Sequence, residues 1–259
     1  MKTIITTNGR PNEQSKERAT YASDVLGYQF VDRAKRSVNR MQKEYNRSVL
    51  VASASQYEFY RVGMDKPFFF HPDTAAFRIK RLLNGDTDQF IESTQLKLGD
   101  SFLDCTLGLA SDSIIAAYQT GVTGKVLGVE GDAVIAFITA EGLKSYQSTS
   151  IQLNDAMRRI QVVSQEAVTF LQSQQDSSWD VVYIDPMFST PIEESSNFTA
   201  LRQVGLQSQL TDEWMQEAIR VCRHRVVVKD HFTSPVFDQF NLTRKIRLSS
   251  KFHFGYIQK

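Results

Sequence analysis

Residues 181–188 read Val181-Val182-Tyr183-Ile184-Asp185-Pro186-Met187-Phe188, four apolar or aromatic residues running straight into an acid, a proline and an aromatic. The run has the length and composition of a buried strand, and a charge at its end is costly unless something uses it. The chemistry suits an exocyclic amine. Asp185 and the Pro186 carbonyl accept its hydrogens, Phe188 stacks on the base, and proline adds no N–H to repel the amine. The plain alternative is an ordinary Asp-Pro turn ending a strand.

Working outward, β-like runs at 101–106, 125–129, 159–164, 180–184 and 225–229 alternate with helical stretches. This rhythm predicts a parallel sheet covered by helices, and two further runs at 243–249 and 252–257 predict an antiparallel hairpin at its edge. The expected fold class is therefore α/β with a mostly parallel sheet. In such a sheet ligands bind beyond the carboxyl ends of the strands, where strand order reverses. The first such loop is Asp104-Cys105-Thr106-Leu107-Gly108-Leu109-Ala110-Ser111-Asp112. Gly108 allows a tight turn close to a ligand, but one glycine does not make the three-glycine dinucleotide fingerprint, so the loop suits a ligand without phosphates. Glu130 follows Asp104 by one βα unit and is placed to accept both hydroxyls of a ribose. After the third strand, Gln165-Glu166-Ala167 offers a polar group and amides to an adenine edge.

Asp104-x-Thr106-x-Gly108-Leu109-x-x-Asp112, Asp185-Pro186-Met187-Phe188 and Val226-Val227-Val228-Lys229 together resemble the RsmJ-type class I methyltransferases over roughly Phe70 to the C-terminus. The resemblance implies a Rossmann-like methyltransferase sheet, S-adenosyl-L-methionine as cofactor, and methylation of guanine N2 in small-subunit (16S) rRNA. Matched position by position, it implies cofactor contacts at Ser111, Asp112, Glu130, Gly131, Glu166, Ala167 and Asp185, and Asp104, Thr106 and Gly108 of the first loop are expected at the cofactor as well. The Asp185 loop's own chemistry gives Asp185, Pro186 and Phe188 the catalytic role with Met187 toward the substrate, and the resemblance puts Lys229 at the family's lysine after the fifth strand, also toward the substrate. The chain departs from the family's pattern at Ser189, where a proline is common, at Ala110-Ser111 in the first loop, and at Gly131, where a basic side chain is common.

Two enzyme targets stand beside rRNA guanine, namely DNA adenine and a protein glutamine, because both present planar nitrogens. A non-catalytic RNA-binding ribosome-assembly factor is the third possibility.

The remaining sequence predicts a small α/β N-terminal domain over 1–66, a helical connector over 67–99 and the methyltransferase domain over 100–259. The N-terminal part reads as a strand at 2–7, a helix at 12–26 capped by Asn12 and ended by Gly27, a strand at 28–31, a basic helix at 37–45, and strands at 48–52 and 58–62. A helix is expected at 73–83, and Phe68-Phe69-Phe70 is expected as packing between the two parts.

Of the chain's 259 residues, 1–99 carry 16 Lys and Arg against 11 Asp and Glu, whereas the rest carry 14 against 18. A polyanion such as structured RNA therefore falls to the front part, with Arg36, Arg40 and Lys43 in one group and Arg78, Lys80 and Arg81 in another. A third group, Arg244, Lys245, Arg247, Lys251 and Lys259, sits on the expected hairpin. The alternative for each is a solvated face. Two distant cysteines encode neither a disulfide framework nor a zinc cage, the four histidines lack ligand spacing, and no metal is expected. No run reaches membrane-spanning length, so the expected setting is the cytoplasm.

Overall fold

The computed structural model describes residues 3–64, 66–186, 210–247 and 250–259. A three-stranded sheet is built by β1 (Thr3–Thr7), β2 (Ser48–Ala52) and β3 (Tyr57–Tyr60), with β1 parallel to β2 and β3 antiparallel to it. Helix α1 (Glu13–Leu26) starts where the Asn12 side chain accepts the Ser15 amide and the Ser15 hydroxyl caps in return, and it ends at Gly27 with φ 66°. Its small residues Ala19 and Ala22 let it lie close on Ile5 and Leu50. Helix α2 (Val38–Tyr45), capped by Ser37, covers the other face with Met41 against Ile4, Val49 and Val51.

Residues 28–31 differ from expectation. They contribute one bridge, Phe30 to Ile5, rather than a strand. Phe30 is 43% exposed, and pairing ends at a turn in which Ala34 and Lys35 both have positive φ. With no second apolar face to bury, the segment has little to gain from a longer ladder.

The second sheet contains β4 (Ser101–Asp104), β5 (Lys125–Glu130), β6 (Ile160–Ser164), β7 (Trp179–Ile184), β8 (Cys222–His231), β9 (Thr243–Lys245) and β10 (Phe252–Gln258), in the order β6-β5-β4-β7-β8-β10-β9. Strands β4 to β8 are parallel, and β10 is antiparallel to both β8 and β9. The chain winds from β4 out to β6 and then returns to β7 on the other side of β4. The switch point therefore lies between the ends of β4 and β7, the place where ligands bind in such sheets.

Alternate residues of each strand feed two cores. Phe102, Val126, Val181 and Tyr183 face α3 (Asp73–Leu83), α4 (Gln89–Thr94), α5 (Ser111–Thr120), α6 (Ala133–Ser145) and α7 (Ile151–Arg158). Leu103, Val129, Val182 and Val228 face α8 (Ala167–Gln172), α9 (Asp212–Val221) and α10 (Val236–Gln239).

The first core continues without a break into the small sheet through Tyr57, Phe59, Phe68 and Phe70. Phe68 pairs with Phe59 of β3, and Tyr57 meets Phe137 of α6 edge-on at 4.9 Å. Phe70 occupies the space above Gly142, where a Cβ would come within 2.1 Å of its ring. The aromatic run is packing, and two of its three rings are buried.

Candidate active site

Asp104 ends β4 and shapes the loop that follows. Its carboxylate, 2% exposed, accepts the Ser113 hydroxyl at 2.6 Å, the Thr106 amide at 2.9 Å and the Thr106 hydroxyl at 3.2 Å. Burial pushes it up to about 7 despite those donors. The Thr106 hydroxyl also accepts the Asp185 amide at 2.8 Å, tying the loop after β4 to the end of β7. Gly108, with φ 50°, donates its amide to Glu130 Oε2 at 3.0 Å, and Asp132 donates its own to Glu130 Oε1 at 3.0 Å. Burial raises the Glu130 carboxyl and the two amides oppose that rise. Ala110 precedes α5 in the left-handed conformation, so that helix begins at Ser111 with no side-chain cap.

Between these loops lies a chain of buried ions. Arg78 on α3 forms a fork with Asp88 at 2.8 and 2.9 Å and reaches Asp112 at 2.6 Å. Asp112 also accepts the Tyr183 hydroxyl at 2.8 Å and the Lys229 ammonium at 3.1 Å. Lys229 then reaches Asp185 Oδ2 at 2.6 Å. Burial opposes each charge. For Asp112, Lys229 and Arg78 prevail and hold it well below the carboxylate range; for Lys229, the two acids prevail and raise it. For Asp185, burial together with Asp112 prevails, and it sits at about 6.

The geometry revises several expectations. Arg78 does not face an RNA phosphate, because both ends of its guanidinium are taken by buried acids and its side chain is 17% exposed. Asp112, expected at the cofactor, has its oxygens occupied by three protein donors. Glu166 caps α8 through the Val168 and Thr169 amides, which hold its carboxyl low against burial, so at that position the side chain is spent on the helix and the Ala167 amide is what remains. Arg36 is held by Glu44 and Tyr45, and Arg81 by Asp86, whereas Arg40 and Lys43 are exposed on α2. Gly131 is exposed beside Glu130. Met187 and Phe188 lie outside the described residues.

Two participants were not foreseen. Tyr183 reads as core yet carries a hydroxyl into the ion network. Arg61, just past β3, donates to Asp132 Oδ2 at 2.8 Å, and Asp132 is both the cap of α6 and the residue whose amide holds Glu130. The Asp132 cap was readable as an acid just before an apolar helix; Arg61 arrives from 71 residues away and left no local mark.

The family described as "Putative SAM-dependent methyltransferase" matches residues 36–252. The chain belongs to this methyltransferase family. The methyltransferase is 40% identical to the uncharacterized protein YpiP of Bacillus subtilis over 98% of this chain and 99% of that one. It is 32% identical to ribosomal RNA small subunit methyltransferase J of Acinetobacter baylyi over 48% of this chain and 45% of the relative, and 27% identical to the Coxiella burnetii protein of that name over 70% and 72%. A SAM-dependent methyltransferase from Neisseria gonorrhoeae shares the fold at TM-score 0.60 and 16% identity, covering 98% of this chain and 95% of that chain. The class I methyltransferase fold follows.

S-adenosylmethionine is the methyltransferase's cofactor, and the residues present fit it. Glu130 is anchored by two amides with lone pairs to spare for a ribose diol. The uncapped start of α5 would take the methionyl carboxylate on its amides. Among the described residues, no group of three or more His, Cys, Asp or Glu is arranged to hold a metal ion, and no helix is long and apolar enough to cross a membrane.

Proposed function

We propose that this methyltransferase acts on an exocyclic amine of a nucleic-acid base, guanine N2 of small-subunit (16S) rRNA. The observation that supports the reading is the end of β7, where Asp185 follows the strand at the switch point and its amide is tied to the Thr106 hydroxyl of the loop after β4. The names of the Acinetobacter and Coxiella relatives support rRNA as the substrate.

S-adenosylmethionine, when bound, supplies an electrophilic methyl group. The chain's own residues do the rest. Hydrogen bonds from the amine to Asp185 and to the Pro186 carbonyl would fix its plane and turn its lone pair toward the methyl, so that most of the acceleration comes from positioning. Lys229 keeps Asp185 an acceptor at neutral pH. With its carboxyl raised to about 6, Asp185 is also a competent acceptor for the proton the nitrogen sheds as the new bond forms. Exposed Arg40 and Lys43 are available to RNA phosphates.

The test is nucleoside mass spectrometry of 16S rRNA from cells lacking the gene, complemented with wild type or with Asp185→Ala. One N2-methylguanosine should disappear on deletion, return with wild type and stay absent with the variant. An unchanged nucleoside profile on deletion refutes the assignment.

A further inference from the structure

Five charged side chains from five parts of the fold alternate in sign along one chain of contacts. Asp88, the cap of α4, pairs with Arg78 of α3, Arg78 with Asp112 of α5, Asp112 with Lys229 of β8, and Lys229 with Asp185 just past β7. Each contact is between 2.6 and 3.1 Å, and the five side chains are only 11% to 23% exposed. Asp185 is the end of this chain that lies at the switch point between β4 and β7.

A buried line of ions is weak evidence for stability, because desolvation offsets most of the attraction and apolar side chains can fill the same space as well. Such a line does hold the charge and the aim of the group at its end. Asp112 shows how. Its Oδ1 accepts from Arg78, and its Oδ2 accepts from the Tyr183 hydroxyl at 2.8 Å and from Lys229, so three donors from three elements fix the carboxylate. Arg78 is fixed in turn by its fork to Asp88 and by the Phe90 ring, 5.5 Å from the guanidinium carbon, and Phe90 meets Tyr183 edge-on at 5.2 Å. Lys229 is held by Asp112 and by the ring of Phe252 at 5.0 Å, and these contacts set where its ammonium meets Asp185 Oδ2.

We propose that Arg78, Asp112 and Tyr183 are positioning residues for methyl transfer, fixing through Lys229 the charge and the orientation of the Asp185 carboxylate that takes the amine. The inference rests on the reading of Asp185 given above and deepens it. It makes α3 and α4, which precede the first strand of the large sheet, part of the machinery that sets the acceptor. Arg78 and Asp112 act by charge and aim, whereas Tyr183 acts by aim alone.

The charged groups facing Asp185 are Lys229 and Asp230 of β8, Asp112 of α5 and Asp104 of β4, with Tyr183 beside them on β7. Arg78→Gln removes a cation while Lys229 and Tyr183 still hold Asp112 ionised, so Asp185 should become harder to ionise. Asp112→Asn removes an anion and leaves Lys229 to Asp185 alone, so Asp185 should become easier to ionise. Tyr183→Phe leaves the charges as they are.

The first measurement needs no substrate: NMR titration of the Asp185 carboxyl in protein isotope-labelled at its aspartates, the signal assigned with Asp185→Asn. The midpoint, about 6 in the wild type, should rise by about one unit in Arg78→Gln, return most of the way in Arg78→Lys, fall by about one unit in Asp112→Asn and stay in place in Tyr183→Phe. The second is single-turnover methylation of a 16S rRNA transcript across the same pH range. Its rise with pH should follow the midpoint in each variant, and Tyr183→Phe should keep the wild-type profile with a rate constant about ten-fold lower. S-adenosylhomocysteine affinity should stay within a few-fold throughout. If Arg78→Gln fails to fold, Asp112→Asn, which leaves two matched ion pairs, carries the same test with the opposite sign. Midpoints that do not move in folded variants overturn the proposal, as does a rate profile that ignores a moved midpoint. A wild-type protein that does not methylate the transcript overturns the rRNA assignment and leaves the titration to judge the ion chain.

Discussion

Replacing Lys229 by Met removes the ammonium that stands 2.6 Å from Asp185 and 3.1 Å from Asp112. At an effective dielectric of about 20 those distances correspond to roughly 6 and 5 kcal/mol of attraction. The protein does not lose that sum, because Asp185 can take a proton instead. Wild-type Asp185 sits at about 6, against 3.8 for an ordinary carboxyl. Without the ammonium its pKa should pass about 8, since one unit takes only about 1.4 kcal/mol.

The sign follows from linkage. A carboxyl raised in the folded state adds stability at low pH that is lost as pH rises through its folded pKa. Between pH 6 and 8 the variant should lose about 2.7 kcal/mol from this group, whereas the wild type, already half ionised at 6, loses a few tenths. The variant's extra deficit at pH 8 is then about 2 kcal/mol, or about 4 to 8 °C in Tm for a chain of this size. Thermal unfolding of both proteins at pH 6 and 8, without cofactor, measures it. Asp104, which sits at about 7, titrates in both proteins and largely cancels from the difference. An equal Tm gap at the two pH values would show that Lys229 does not carry the charge of Asp185.

Asp185→Ala should slow methyl transfer by about 10²-fold or more while leaving S-adenosylhomocysteine binding within a few-fold, as stopped single-turnover assays and calorimetry would show. Arg61→Gln should weaken S-adenosylhomocysteine binding by about three- to ten-fold through the Asp132 and Glu130 turn, the scale of one weakened charge-assisted hydrogen bond, with partial rescue by Arg61→Lys in the same titration. Gly128→Ala would set a Cβ 2.2 Å from Leu107 Cδ1 and should lower Tm by about 2 to 12 °C, the effect of an overpacked core contact, measured by differential scanning calorimetry.

The alternation of strands and helices was legible because strand period, caps and turn residues are local. Asn12 and Gly27 mark both ends of α1 in the sequence as they do in the structure. The acids at strand ends were legible for the same reason: Asp104, Glu130 and Asp185 each close an apolar run. What they touch was not legible, since the partners of Asp112 lie 34, 71 and 117 residues away in the chain. Arg78 shows how a nearer reading was possible. It shares the spacing of Ala75, Ile79 and Leu82, which is the inward stripe of α3, whereas Lys80 and Arg81 lie on the outward face with Phe77, 62% exposed. A cation on an apolar stripe calls for a buried acid, and counting the three as one basic group hid that.

Two of the cations near the site are spent on its acids. Arg78 and Lys229 are buried and each is matched to two acids, so they set the charge of the crevice. Arg61 ties the end of β3 in the small sheet to Asp132, whose amide holds Glu130, so that sheet is joined to the turn after β5. On the other flank the hairpin carries its cations on a segment without acids. On the proposed function, a base entering between β4 and β7 would meet Asp185 at a point where the ammonium of Lys229 is already matched by two acids, so the amine would face an acceptor and not an unmatched cation.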